Sequence, residues 1–189
     1  LGDAVSSAVA DDEVRVLLLR GEGPSFSSGR DTSALGNRGP DDTHFAHLRR
    51  SQRLNLMLSD APKPVVAALK VHVLGMALET ALAADIRVIE KGARLGLPEA
   101  ALGLVTDNGG AGRLTALVGP AKAKYLLLTA APVDAEQALA WGLGEVLVEP
   151  DALDEVSFAL ARQIAGNAPL ALGVAKDLVD QVHRGAVAN

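Results

Sequence analysis

Apolar residues along the chain fall into short unbroken runs separated by longer stretches of mixed pattern, and this alternation predicts strands followed by helices. Asp3 to Ala10 has helical composition and ends in the Asp11-Asp12-Glu13 cluster. Val14 to Leu19 reads as a mostly buried strand, closed by Gly21 and Gly23. A Gly/Ser loop follows from Gly23 to Gly29, and Gly36 to Asp42 reads as a mobile surface loop. Thr43 to Ser59 is expected to be a helix with Leu48, Leu54 and Leu58 toward the core, stopped by Pro62 and Pro64. Val65 to Leu69 is a second buried strand, and an Ala/Leu-rich run from Met76 to Ala83 predicts a helix starting near Gly75. Asp85 to Ile89 is a third strand, and the residues around Leu95 give a short fourth. Beyond Gly109-Gly110 the pattern is mainly helical, with Leu143 to Val148 the exception. Strands and helices in this order argue for an α/β fold.

Composition narrows the picture. A chain of 189 residues suits one domain, and 49% hydrophobic residues are enough for a core without staples. Aromatics make up only 3%, so that core must be built from Ala, Val and Leu. The lack of cysteine excludes disulfides, thiolate metal sites and a Cys nucleophile, and fits a reducing compartment; a cytoplasmic location is expected. A net charge of −5 with no long basic run argues against nucleic acid as a partner. No apolar stretch reaches the ~18 residues a membrane helix needs, so no membrane partner is expected. The chain begins Leu1-Gly2-Asp3 and is read as part of a longer protein, truncated at both ends.

Several familiar chemistries fail on inspection. Gly109-Gly110-Ala111-Gly112 lacks the third glycine of a dinucleotide fingerprint, because Thr115 stands there. Gly119-Pro120-Ala121-Lys122 is not a phosphate-binding loop, and Gly23-Pro24-Ser25-Phe26-Ser27 begins like a nucleophile elbow but ends in Ser. His44 and His47 share a helix face without an acidic partner and read as solvated surface, and His72 reads as a strand-end residue.

Two segments carry more. In Phe26-Ser27-Ser28-Gly29-Arg30-Asp31 and in Val71-His72-Val73-Leu74-Gly75-Met76-Ala77-Leu78-Glu79, glycine follows a buried strand and a helix then begins. A helix start offers unpaired N–H groups and a positive dipole end, so two such turns side by side could hold a developing oxyanion. Downstream, Leu95-Gly96-Leu97-Pro98-Glu99 sets a carboxylate among apolar residues, and Thr106-Asp107-Asn108-Gly109-Gly110 adds another. Taken singly, Glu99 would be a helix-start residue and Asp107 a turn or cap residue.

The order of these segments resembles the enoyl-CoA hydratase/isomerase (crotonase) superfamily. Phe26 to Asp31, Lys63 to Ala68, Gly75 to Glu79, Ala83 to Arg87, Leu95 to Glu99 and Gly109 to Leu114 carry the likeness, which runs from Val14 to about Pro150. Leu117-Val118-Gly119 and Asp134 to Leu143 continue it. The resemblance implies a crotonase-like (ClpP/crotonase) α/β fold, a repeated ββα superhelix with a helical C-terminal region. Residues 1–150 would form the core and 151–189 the helical region of the same domain. It implies an enzyme of acyl-CoA thioesters and fatty acid metabolism that stabilises an enolate, with coenzyme A as substrate carrier and no metal or redox cofactor. The backbone N–H groups of Arg30 and Met76 would form the oxyanion hole. Glu79 would activate water and Glu99 would handle the proton at Cα. Ser28, Arg30, Asp31, Thr32 and Gly75 would line the substrate and CoA site, with the adenine against backbone from Ser28 to Thr32. Homotrimers or pairs of trimers are the family habit.

Two departures bear on the reaction. The family's Gly-Gly-Gly turn is Gly75-Met76-Ala77 here, so Met76 would crowd the acyl pocket. Where hydratases carry Pro-Gly this chain has Thr106-Asp107, a pattern like that of dienoyl-CoA isomerases. Three readings follow: syn hydration of a 2-enoyl-CoA by Glu79 and Glu99, double-bond isomerisation by Glu99 and Asp107, and a catalytically silent scaffold. In the hydratase reading Asp107 would only cap the following helix.

Overall fold

The computed structural model of the chain describes residues 1–34, 41–183 and 185. Most of the segment read as a mobile loop, residues 36–40, lies outside the described residues; Asp41 and Asp42 open a helix instead.

Among the described residues, seven strands divide between two sheets. β1 (Leu17–Arg20), β2 (Val65–Leu69), β4 (Ile86–Glu90) and β7 (Val146–Val148) form one, all parallel, with Leu17 opposite Val65, Val66 opposite Ile86 and Val88 opposite Val146. β3 (His72–Leu74), β5 (Arg94–Gly96) and β6 (Val133–Asp134) form the other. A parallel bridge from Ser27 to Val73 continues this second sheet toward the chain's start. The chain therefore repeats one unit, giving a strand to each sheet and then a helix. β1, the Ser27 bridge and α2 (Asp41–Ser59) make the first; β2, β3 and α3 (Met76–Ala81) the second; β4, β5 and α4 (Gly110–Thr129) the third. The end of each unit's second strand is a turn, and the three turns lie side by side.

β2 is buried on both faces, which is why it reads as an unbroken apolar run rather than an alternating one. Its side chains still alternate between two cores. Val65, Ala67 and Leu69 join Leu58, Leu78, Leu95 and Leu114 under the helices, whereas Val66 and Ala68 join Val88 and Val148 beneath α6 (Leu153–Ala165). Ala, Val and Leu supply most of both cores, as the composition requires. α7 (Pro169–His183) is tied back by Lys176, whose Nζ donates to Asp85 at 2.9 Å.

Several sequence boundaries move. The first strand begins at Leu17 rather than Val14, because its pairing starts only opposite Val65. α3 stops at Ala81 rather than Ala83; the buried Arg87 guanidinium collects the carbonyls of Ala81 and Ala84 at 3.5 and 2.7 Å, closing the helix. Asp85 precedes its strand because its carboxylate accepts the Val65 N–H at 2.7 Å. β7 is confined to Val146–Val148, since α5 (Ala135–Trp141) ends on a left-handed Gly142 and Gly144 packs tightly on Ile89. β3 and β6 were not expected. At three and two residues they are too short to show a period.

Candidate active site

The three stacked turns bring together every residue singled out for the oxyanion hole and the acid pair. The first turn is seated by Gly29, at φ 91: a Cβ there would lie 2.6 Å from the Leu74 carbonyl oxygen and 3.3 Å from the Met76 nitrogen. Only glycine allows both that conformation and that approach. Arg30 and Met76 thus stand on adjoining turns, and neither backbone N–H has an acceptor among the described residues. Met76 is the first residue of α3, where an N–H lacks an intrahelical partner by construction.

Gly75 works the same way on the other side. It holds φ 58, and a Cβ there would lie 3.0 Å from Glu99 Oε1. The third turn enters through Leu97 and the short 3-10 helix Pro98–Leu102, which sets the Glu99 carboxylate against the start of α3. Glu99 is half-buried, and its Oε2 is enclosed without a partner among the described residues. Burial pushes its pKa above the ordinary glutamate value of 4.5, with the neighbouring charges of Glu79 and Asp107 adding to it. Its own backbone N–H and the Arg30 guanidinium oppose the shift.

Glu79 is treated differently. It is 1% exposed on the wholly buried stretch of α3, and its Oε1 accepts the N–H groups of Asn108 and Gly110, both at 2.9 Å. The Asn108 side-chain amide reaches Oε2 at 3.3 Å, a longer bond that leaves that oxygen room for another partner. Glu79 therefore caps α4 from a neighbouring helix. The residue at the cap position of α4 is Gly109, which has no side chain to offer.

Asp107 does not cap α4, contrary to its sequence reading. Its two oxygens take a forked ion pair from Arg30, Nη1 to Oδ2 and Nη2 to Oδ1, each 3.0 Å. Asn108 Nδ2 adds a bond to Oδ1 at 2.6 Å. An acidic side chain three residues ahead of the helix finds a cation across the site, while Glu79 holds the first helix N–H, that of Gly110. Both partners are about one-third exposed, at 32% and 28%. A pair so placed stabilises a fold by at most about 1 kcal/mol.

The remaining expected residues sit around the rim. Ser28, Asp31 and Thr32 are exposed beside Arg30, and Asp31 Oδ1 accepts the Ser33 N–H at 2.9 Å. The Ser33 backbone and hydroxyl hold the Asp31 carboxyl below its usual range. His47 is exposed, and His72 lies exposed in β3 with its Nδ1 3.2 Å from Ser25 Oγ. The His44 side chain lies outside the described residues.

Four polar residues of the site were not singled out from sequence. Ser51 accepts from Arg30 at 3.2 Å, and Gln52 donates to the Asp107 carbonyl at 2.6 Å. Asn55, 1% exposed, donates to the Asn108 carbonyl at 3.2 Å and accepts from Thr80 at 3.0 Å. Asn108 bridges Glu79 and Asp107. A signal for the first three was present: they occupy the same helical face as Leu48 and Leu58, and polar groups on a core face need partners.

The family model for enoyl-CoA hydratase/isomerase matches residues 1–187. The chain belongs to that family. It is 36% identical to a carnitinyl-CoA dehydratase from Citrobacter koseri over 179 residues, which are 94% of this chain and 68% of that protein. Among solved structures, Pseudomonas aeruginosa DspI superposes with a TM-score of 0.91 at 34% identity, covering 97% of this chain and 75% of that one. An enoyl-CoA hydratase from Bacillus anthracis gives 0.90 at 29% identity, covering 97% and 73%. The fold is that of the crotonases, and this is an acyl-CoA enzyme of the hydratase/isomerase family. Among the described residues no helix is long and apolar enough to cross a membrane.

Proposed function

We propose that the enzyme is a hydratase/dehydratase, interconverting a 2-enoyl-CoA and its 3-hydroxyacyl-CoA, with Glu79 and Glu99 as the working pair. The observation that carries this is the division of three carboxylates. Both Asp107 oxygens are committed to Arg30, whereas Glu99 keeps Oε2 enclosed and unpartnered beside the Arg30–Met76 turns. In hydration, the thioester carbonyl accepts from the Arg30 and Met76 N–H groups, which draws charge off the β-carbon. Glu79 takes a proton from water through Oε2 as the water oxygen bonds to C3. The C2–C3 π electrons become the enolate, and Glu99 delivers its proton to C2 as the carbonyl re-forms. Burial raises the pKa of Glu99, which makes it a better holder of that proton than an ordinary glutamate. The reverse sequence is dehydration. Coenzyme A would lie along Ser28, Arg30, Asp31, Thr32 and Gly75, with its adenine against the backbone from Ser28 to Thr32.

An isomerase would need Asp107 to exchange a proton at a second carbon, which requires breaking its ion pair first. The deciding experiment compares Glu79→Gln with Asp107→Asn on a trans-2-enoyl-CoA and on a dienoyl-CoA. Hydration is expected to fall 10²-fold or more in Glu79→Gln and by clearly less in Asp107→Asn. Double-bond migration without oxygen from labelled water, abolished by Asp107→Asn, would overturn the assignment.

A further inference from the structure

The Arg30 side chain is the part of the site that the reaction as drawn leaves unused. In that reaction only its backbone N–H serves the thioester, yet the guanidinium makes three hydrogen bonds beside the acids. It makes the forked pair with Asp107 at 3.0 Å and 3.0 Å and a third bond to Ser51 Oγ at 3.2 Å. Each of those acceptors is itself held. Ser51 Oγ donates to the Leu48 carbonyl at 2.9 Å within α2, the Asp107 carbonyl takes Gln52 Nε2 at 2.6 Å, and Asp107 Oδ1 takes Asn108 Nδ2 at 2.6 Å. On its other side Arg30 follows Gly29, which is wedged against Leu74 and whose N–H donates to Ser27 Oγ at 3.1 Å. The turn is thus gripped through the chain on one side and through the side chain on the other.

We propose that Arg30 and Asp107 form a latch that holds the Gly29-Arg30 turn against α2 and the start of α4, so that Asp107 is a positioning residue for the Arg30 oxyanion donor and not a proton-transfer group. The proposal rests on the oxyanion reading above. A planar fork suits this task better than an ammonium, because two parallel bonds fix orientation as well as distance. The latch also carries charge. The charged groups that face Glu99 are Glu79 from α3, Asp107 from the segment before α4 and Arg30 from the turn. Unpairing Asp107 leaves a bare negative charge beside Glu99; removing Asp107 leaves a bare positive one. The two changes must move Glu99 in opposite directions.

The test is a double-mutant cycle of Arg30→Ala, Asp107→Ala and the double variant, with Asp107→Asn and Arg30→Lys alongside. Hydration of a 2-enoyl-CoA is followed as kcat and KM from pH 5 to pH 10. Each single Ala variant should lower kcat by about 10- to 100-fold with less change in KM, as a misplaced donor does. The double variant should fall no further than the worse single one. The alkaline limb, where Glu99 must still carry its proton, should move up in Arg30→Ala and down in Asp107→Asn. Arg30→Lys keeps the charge but not the fork, so it should lose kcat without moving the limb. Because the pair is one-third exposed, all five variants should fold, and their unfolding temperatures are recorded with the kinetics. Losses that multiply in the double variant, or an Asp107→Asn protein as inactive as Glu99→Gln, would overturn the latch. Met76→Pro separates the two levels: if it retains full turnover, the oxyanion reading itself has failed, whatever the cycle shows.

Discussion

Replacing Gly110 by Ala tests whether the position of Glu79 matters as the geometry implies. A Cβ on Gly110 would lie 2.5 Å from Glu79 Cγ, 2.7 Å from Oε1 and 3.0 Å from Cδ. Carbon atoms rest at about 3.5–4.0 Å, so one side must yield by about 1 Å. Glu79 is 1% exposed and flanked by the buried Asn55–Thr80–Asn108 network, which resists its swinging aside. The displacement also stretches the 2.9 Å bond from the Gly110 N–H. Overpacking of this kind costs about 1–3 kcal/mol, a drop of roughly 2–12 °C in a chain of this size. A misplacement of about 1 Å costs on the order of 10²-fold in kcat. Gly112→Ala is the internal control: it lies in the same helix, a Cβ there meets nothing within 4 Å, and its activity should stay at the wild-type level. Its Tm should rise slightly, since Ala favours a helix over Gly by about 1 kcal/mol. The assay is loss of the conjugated absorbance of a 2-enoyl-CoA, with thermal unfolding on the same samples. A Gly110→Ala enzyme with wild-type kcat and unmoved Tm would show that Glu79 does not sit where its hydrogen bonds put it.

Two further outcomes follow from the same geometry. Met76→Pro deletes one oxyanion donor at the first helical position, where proline fits, and Gly75 at φ 58 and ψ −129 already has the mirror-extended shape a residue before proline can take; hydration should fall 10²- to 10³-fold while Met76→Ala stays within about tenfold, and equal rates in the two would remove Met76 from the hole. Folding raises the pKa of Glu99, so the unfolded chain ionises first as pH rises, and this carboxyl costs stability increasingly from the ordinary glutamate range up to its raised value. The Tm of Glu99→Gln relative to wild type should therefore climb as the pH rises above the ordinary glutamate range, and a difference that stays flat or shrinks would mean that Glu99 is not desolvated.

Much of this architecture was legible because it rests on local causes. The Val65–Leu69 strand, the helix start at Gly75 and the Pro98-Glu99 entry were each written in contiguous residues, where burial on both faces, a backbone turn and a proline act within a few positions. β3 and β6 were not legible, because their existence depends on partners rather than on their own pattern: β3 is held by the Ser27 bridge and by Arg94–Gly96. Glu79 and Glu99 were found through the order of the motifs, but their environments were not. That Glu79 would cap α4 follows from the Asn108 and Gly110 N–H groups lying beside α3, a relation between residues about thirty positions apart. Asp107 shows the limit most clearly. Three positions ahead of a helix it had a local reason to cap, and the deciding partner, Arg30, stands 77 residues earlier.

The division of labour among the three acids is then a consequence of supply. Helix α4 offers unpaired N–H groups at its start, and Glu79 takes the Gly110 one, with the Asn108 N–H just ahead of the helix, because Gly110 lets its Cγ come closer than any side chain at that position would. Asp107, ahead of the helix, is held instead by the Arg30 fork. Glu99 arrives by a separate route, on a proline-started turn backed by Gly75, and neither the helix nor the arginine reaches its Oε2. A carboxyl left under-solvated beside two other carboxylates is unstable as an anion, and that instability is what equips it to hold a proton and release it to carbon. Strengthening its hydrogen bonding would make the fold more comfortable and the acid weaker at its task. A serine or asparagine introduced within reach of Glu99 Oε2 is therefore expected to raise Tm and lower kcat together, and a variant that gained both would mean that proton transfer at this carboxyl does not limit turnover.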